Sequence, residues 1–347
     1  MLPTPLPSPR NMPFIRLCAW GVALAVLGTL AWHGASQAGP LRDWAAKRQE
    51  ARAASASTEQ DEDDGLATGS EPDAQSHLPR GAQRIADVSY GADAAQRFDV
   101  YKPTDARDAP VIFMVHGGGW RHGSKSARGV VQNKVSHWVG KGFVVISTDY
   151  RLLPDADPLE QARDVAQALT TAQAQASKWG GDAQQFILMG HSAGAHLVAL
   201  INASPILATG LGAKPWLGTV SLDSAALNVP SVMEGKHLRL YDKAFGIDPG
   251  FWQATSPWHQ LSKGSAPLLA VCSTRRSDSC PQAEQYRDKA IAQGSRAMVL
   301  PVKLSHGEVN EQLGLPGGYT DSVDTFLRSL SSEVARVLKP ASPSKQR

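Results

Sequence analysis

Six short segments of the chain are apolar without the alternation that a half-exposed strand would show. They are residues 110–115 ("PVIFMV"), 143–148 ("FVVIST"), 185–190 ("QFILMG"), 217–223 ("LGTVSLD"), 267–273 ("PLLAVCS") and 297–303 ("AMVLPVK"). Uninterrupted apolar runs of this length fit strands buried on both faces of a parallel sheet. Between them lie helical patterns. Residues 157–179 open with Asp157 as N-cap and Pro158 at the first helical position, a combination that starts a helix with its free N–H groups satisfied. Further helices are predicted at 192–204, 280–294 and 320–339. Strand and helix in repeated succession predict an α/β fold, a mostly parallel, doubly wound sheet with helices on both faces. Residues 97–103 ("RFDVYKP") read as an antiparallel edge strand ahead of it. Residues 225–261 break the rhythm. They are long and irregular and carry Tyr241, Phe245, Phe251, Trp252 and Trp258, which predicts a short cap inserted over the sheet.

The ends of the chain follow other rules. Arg10 and Arg16 precede an uncharged apolar run at residues 17–32, and Ser36 and Ala38 follow as small residues suited to cleavage. The run has sixteen residues, whereas a bilayer span takes about 20, so residues 1–38 read as a signal peptide or a membrane anchor. Either way the body is expected to be exported, hence periplasmic, secreted or tethered to a membrane through residues 17–32. Residues 39–81 are small, polar and acidic and read as a disordered linker. The globular domain is expected at 82–339 and a disordered tail at 340–347. The whole chain of 347 residues has 42% hydrophobic and 19% charged residues and a net charge of +3. Its basic residues form no stripe, which argues against nucleic acid as a partner. Cys18 lies in the apolar run, leaving Cys272 and Cys280, eight apart. In an oxidising compartment they could pair, a link that the chain-entropy model values at about 2.5 kcal/mol; otherwise they are two thiols.

Two glycine-rich stretches carry the candidate chemistry. "GHSAG" at 190–194 fits Gly-x-Ser-x-Gly and falls between a buried strand and a helix, where a sharp turn lifts the serine hydroxyl above the sheet edge. Ser192 is the candidate nucleophile. "HGGG" at 116–119 follows the first long strand, where glycines let main-chain N–H groups approach a developing oxyanion without a Cβ in the way. Gly118, Gly119 and Ala193 are the candidate donors, and His116 is read as organising the turn. In this architecture the chain order is serine, acid, histidine. Four histidines follow Ser192. His196 lies low on the same helix, His237 and His259 fall in the irregular insertion, and His306 opens the loop after the last strand, so His306 is the candidate base. Asp278, in the loop after the fifth strand run, is the expected acid. Asp223, at the end of the fourth, is the alternative, and Glu308 reads as a solvated loop charge. Trp120, Phe251 and Trp252 are candidates for lining the substrate pocket, with simple packing as the competing role for each. No metal or organic cofactor is expected.

With these residues placed, the chain resembles the α/β-hydrolase superfamily. "VHGGGW", "DYRLLPDADPLEQARDV", "GHSAGAHL", the Asp278 loop and "LSHGE" are similar to the HGGG-type branch of hormone-sensitive-lipase-like esterases, feruloyl- and acetylxylan-esterase-like proteins and arylformamidases. The acid-bearing loop departs from the family, reading "CSTRRSDSCP" in place of the more usual His-Gly-x-x-Asp. The resemblance implies a serine hydrolase that cleaves carboxylic esters through an acyl-enzyme, with a small-molecule substrate and no cofactor. Arylformamidase-like amide cleavage is the nearest alternative, and a catalytically silent binding member is the alternative of another class. Neither acyl length, leaving group nor oligomeric state follows from the sequence.

Overall fold

The computed structural model describes residues 78–339 and orders its apolar runs into one sheet. Its strands are β1 (Ala82–Ser89), β2 (Arg97–Pro103), β3 (Ala109–Val115), β4 (Val144–Thr148), β5 (Gly181–His191), β6 (Gly218–Leu222), β7 (Leu268–Ser273) and β8 (Ala297–Val302). They lie in the order β1-β2-β4-β3-β5-β6-β7-β8. From β4 to β8 every pairing is parallel, while β1 and β2 join antiparallel. Every residue of β3, β4, β6 and β7 is buried, which is why those segments read as continuous apolar runs.

Between and after the strands come α1 (Arg128–Lys134, extended by a wider turn over Val135–Val139), α2 (Pro158–Gln175) and α3 (Ala193–Ala203). The insertion between β6 and β7 holds α4 (Val229–Glu234), α5 (Arg239–Phe245), α6 (Pro249–Ala254) and α7 (Pro257–Gln260). The C-terminal part adds α8 (Ser279–Ala292), α9 (His306–Glu311), α10 (Gly318–Arg328) and α11 (Ser332–Val337). One apolar layer joins α2, α3 and the cap to one face of the sheet through Phe113, Leu169, Leu188, Leu197 and Phe245. The opposite face packs on α1, α10 and α11 through Ile112, Trp138, Met189, Phe326 and Val334. The sheet is therefore wound on both sides, as the sequence predicts. Asp157 accepts from the Glu160 N–H and Glu160 returns a bond to the Asp157 N–H, the reciprocal cap that its position implied.

Three expectations need correction. Residues 97–103 form an antiparallel strand, but β1 pairs with its outer side, so β2 is not the edge. The predicted helix 320–339 is two helices broken at 329–331, where Ser331 caps α11 by accepting from the Val334 N–H. α1 and its extension were not expected as an element. The leader, the linker up to residue 77 and the tail from 340 lie outside the described residues. Among the described residues no helix is long and apolar enough to cross a membrane.

Where β5 meets α3, packing is tight enough to fix the residue type. A Cβ on Gly194 would lie 2.3 Å from the carbonyl oxygens of both Val115 and His116. Those oxygens belong to the backbone at and just past the end of β3 and cannot swing aside. Gly194→Ala is thus expected to cost about 3 kcal/mol, read as a lowered midpoint in a urea titration of the folded protein.

Candidate active site

Three loops at the carboxyl ends of β5, β6 and β8 bring together a serine, an aspartate and a histidine. Ser192 occupies the turn from β5 into α3 with φ 56° and ψ −118°. Positive φ is uncommon for a residue with a side chain and is held only where the surroundings over-determine it. Here the Ser192 N–H is tied to the Leu222 carbonyl at 2.9 Å, and its own carbonyl accepts from the His196 N–H at 3.0 Å. The hydroxyl lies 2.9 Å from His306 Nε2. His306 begins α9, whose start is fixed by a reciprocal cap between Ser305 and Glu308. Glu308 is therefore a capping residue, paired also with Arg275, rather than a free loop charge.

His306 Nδ1 donates to Asp223 Oδ2 at 2.6 Å. Asp223 follows the last residue of β6, again at positive φ (57°), and its side chain is fully buried. Its other oxygen, Oδ1, accepts from the Ser273 N–H at 2.6 Å and from the Ser279 hydroxyl at 2.5 Å. Arg276 Nη1 adds a contact to Oδ2 at 3.1 Å. Burial pushes the Asp223 carboxyl up, but the hydrogen bonds from His306, Ser279 and Ser273 and the charge of Arg276 outweigh it. The net effect holds the group well below the usual carboxylate range. Arg276 Nη1 also lies 2.9 Å from His306 Nδ1. Since Nδ1–H points at Asp223, the two donors converge on one oxygen and do not bond each other.

Asp278, expected as the acid, is not in this position. Its side chain is 49% exposed and pairs with Arg276 Nη2 at 3.2 Å. The guanidinium stands between the two carboxylates, with Asp223 on the imidazole side. The reason is local: Asp223 turns off β6 at positive φ into donors from Ser273, Ser279 and His306, while the Arg276 guanidinium separates Asp278 from the imidazole. The alternative acid, Asp223, is the one the structure brings to His306.

The HGGG loop lies against the nucleophile. A Cβ on Gly117 would come within 2.9 Å of Ser192 Cβ and 2.8 Å of the His191 carbonyl. Gly118 has φ 114° and closes a turn in which its carbonyl accepts from the His122 N–H at 2.9 Å, leaving no room for a side chain. Gly119 continues at φ 60°. His116 organises this turn: its Nδ1 contacts the Gly117 carbonyl at 2.7 Å, and Tyr150 stacks on its ring and donates to its carbonyl at 3.0 Å. Ala193 stands directly after the serine as the first residue of α3.

The pocket candidates fare differently. Trp120 is 3% exposed and packs beneath the cap against Tyr241 and Phe245. Its indole N–H donates to His196 Nδ1 at 3.2 Å, and His196 Nε2 in turn donates to the Thr255 carbonyl at 2.7 Å. Burial lowers the His196 pKa to about 4, so this histidine is a neutral relay between loop, α3 and cap, not a base. Trp120 thus packs the HGGG loop against α3 and the cap. Phe251 and Trp252 are half-buried on α6 and pack on the same apolar cluster. His237 is bound to Asp242, and His259 to Ser256.

One residue at the site was not singled out from the sequence. His191 immediately precedes the serine, is buried, and its Nε2 donates to the His306 carbonyl at 2.9 Å while its ring lies 4.6 Å from the His306 ring. Burial, followed by the neighbouring His306, keeps its pKa well below the ordinary value, so it is a neutral donor bracing the His306 backbone. Its position in "GHSAG" was the available signal. Cys272 and Cys280 are joined in a disulfide with Cα atoms 5.1 Å apart. Among the described residues no group of three or more His, Cys, Asp or Glu side chains is arranged to hold a metal ion.

Comparison with known proteins agrees with this architecture. Residues 98–207, which include both the HGGG loop and the serine turn, match the BD-FAE family model. Esterase LipC of Mycobacterium tuberculosis is 39% identical over 115 residues, covering 33% of this chain and 28% of its own length. Kynurenine formamidase of Salmo salar is 34% identical over 121 residues, covering 35% of this chain and 39% of its own. The chain thus spans about a third of the length of these curated relatives. Among solved structures, esterase B from Lactobacillus rhamnosis superposes with a TM-score of 0.60 at 21% identity, covering 85% of this chain and 94% of that one. Sheet order, serine turn and HGGG loop coincide in one chain, which shares the fold of these esterases and is similar over residues 98–207 to the BD-FAE family.

Proposed function

We propose that the protein is a serine hydrolase that cleaves carboxylic esters through an acyl-enzyme. The observation that carries this reading is the chain of contacts from the Ser192 hydroxyl to His306 Nε2 at 2.9 Å and from His306 Nδ1 to the buried Asp223 at 2.6 Å. Ser192 Oγ attacks the ester carbonyl while His306 Nε2 takes its proton. Asp223 holds the tautomer that leaves Nε2 free to accept, and its negative charge stabilises the imidazolium that forms. The carbonyl oxygen becomes an oxyanion, met by the N–H groups of Gly118, Gly119 and Ala193. Collapse of the tetrahedral adduct expels the alcohol, which takes the proton from His306. Water then repeats the sequence on the acyl-serine, releasing the acid and restoring Ser192.

The relatives named as esterases support ester cleavage. A second reading, cleavage of N-formyl anilides, draws on the kynurenine formamidases that match about a third of the chain. One panel separates them: kcat/KM measured on p-nitrophenyl acetate, a feruloyl ester and an N-formyl anilide. The ester reading expects the acetyl or feruloyl ester to be the better substrate. Preference for the formanilide would replace it with the second reading, and turnover of none of the three would favour a binding member. We also propose that the domain works outside the cytoplasm, released or tethered through residues 17–32. The apolar run after Arg16 and the Cys272–Cys280 pairing support this placement.

A further inference from the structure

The loop closed by Cys272 and Cys280 is where the supports of the acid and of the base meet. Apart from His306, the groups bonded to the Asp223 carboxylate all come from it: the Ser273 N–H, the Arg276 guanidinium and the Ser279 hydroxyl. The same loop holds the segment that carries His306. Ser273 Oγ donates to the Leu304 carbonyl at 2.5 Å, the Thr274 N–H donates to the Val302 carbonyl at 2.9 Å, and Arg275 pairs with Glu308 at 3.0 Å. Cys272 is fully buried at the end of β7, while Cys280 lies in the first turn of α8 and is partly exposed. The bridge therefore fixes the spacing between a strand end and a helix start, and the residues between them set where Asp223 and His306 stand.

We propose that Cys272 and Cys280 are positioning residues for the site, so that breaking their bond slows turnover in a protein that stays folded. The inference rests on the hydrolase reading for its kinetic consequence, though not for its structural one. The chemistry is thiol–disulfide exchange. A thiolate of an external dithiol attacks the partly exposed Cys280 sulfur, displacing Cys272 as thiolate. The second thiol of the reagent then displaces Cys280, leaving two protonated cysteines and one cyclic disulfide of the reagent; two electrons and two protons pass to the protein. The sheet strands and helices on either side keep their own hydrogen bonds. What loosens is the turn that presents three donors to Asp223 and grips the His306 loop. Misplacement of reacting groups by about 1 Å can cost about 10²-fold.

The test treats the full chain with a dithiol, checks by mass that two thiols beyond Cys18 have been freed, and measures kcat and KM on p-nitrophenyl acetate beside far-ultraviolet circular dichroism. The expected result is a fall in kcat of about 10- to 100-fold, with KM and the spectrum unchanged and activity restored by reoxidation. Cys272→Ala with Cys280→Ala is expected to show the reduced rate and no response to the dithiol; Cys280→Ser alone serves if that pair fails to fold. Full kcat in the reduced, folded protein overturns the proposal, as does a loss that appears only together with unfolding. A second readout is independent of turnover. The low-field proton resonance of the His306 Nδ1–H bonded to Asp223 is expected in the oxidised protein and lost to exchange on reduction. Its persistence unchanged after reduction overturns the proposal even if no ester proves to be a substrate, whereas absence of any ester turnover in the oxidised protein counts against the hydrolase reading alone.

Discussion

Asp223→Asn is expected to lower kcat on p-nitrophenyl acetate by about 10⁴-fold, while Asp278→Asn changes it by less than about threefold. The asymmetry follows from the hydrogen bonds at each carboxylate. Two donors, the Ser273 N–H and the Ser279 hydroxyl, converge on Asp223 Oδ1. In the asparagine variant they hold the amide oxygen there and turn the NH2 group towards His306 Nδ1 and Arg276. The imidazole must then accept at Nδ1 and carry its proton on Nε2, facing Ser192 with a donor where a base is required. The same NH2 group also meets the Arg276 donors without an acceptor between them, so some loss of stability is expected alongside the loss of rate. Asp278 contributes one half-exposed ion pair, and such pairs are worth little. Steady-state kinetics of the two variants, with circular dichroism to verify folding, checks the prediction. A large loss at Asp278 with a small one at Asp223 would mean that the Arg276 loop rearranges to exchange the two acids.

The second large effect is at the nucleophile. Ser192→Ala is expected to reduce kcat by about 10⁶-fold, leaving KM nearly unchanged because the HGGG loop and the cap are untouched. Folding should be unaffected. Alanine suffers the same positive φ as serine, and the Ser192 main-chain bonds to Leu222 and His196 do not involve the side chain. Thermal unfolding of the variant is therefore expected to overlay that of the wild type. An activity loss of only tenfold, measured on protein free of wild-type contamination, would remove Ser192 from the chemistry.

Much of this site is legible in the sequence alone. Ser192 and His306 are readable because their signals are local: a buried strand running into a small-residue turn and helix, and a histidine just past the last strand. The acid is not. Asp223 and Asp278 both follow strands, and the choice between them depends on a positive φ at residue 223 and on the donors that Ser273, Ser279 and His306 turn to it. Neither leaves a mark in a single sequence. β1 escaped because its residues Gln83, Arg84 and Asp87 break both the apolar run and a clean alternation, as befits an edge strand half-open to solvent. α1 escaped for a different reason. Val130, Val131, Lys134 and Trp138 do recur at helical spacing, but the buried position at 134 is a lysine. Its ammonium is satisfied by the Gly129 carbonyl and by both oxygens of Asn310, and a polar residue on an apolar stripe conceals it. Trp120 shows the converse limit. Its place beside the glycines invites a pocket role, whereas its packing against His196 and the cap's Tyr241 and Phe245 is not visible in the sequence.

The account turns on a covalent acyl group at residue 192. Its most direct test is mass analysis of protein mixed with p-nitrophenyl acetate, acid-quenched before steady state and digested. The prediction is one acetyl group, located on Ser192 and absent from the Ser192→Ala protein. Continued hydrolysis with Ser192 unmodified, or acetyl found on another residue, would contradict it.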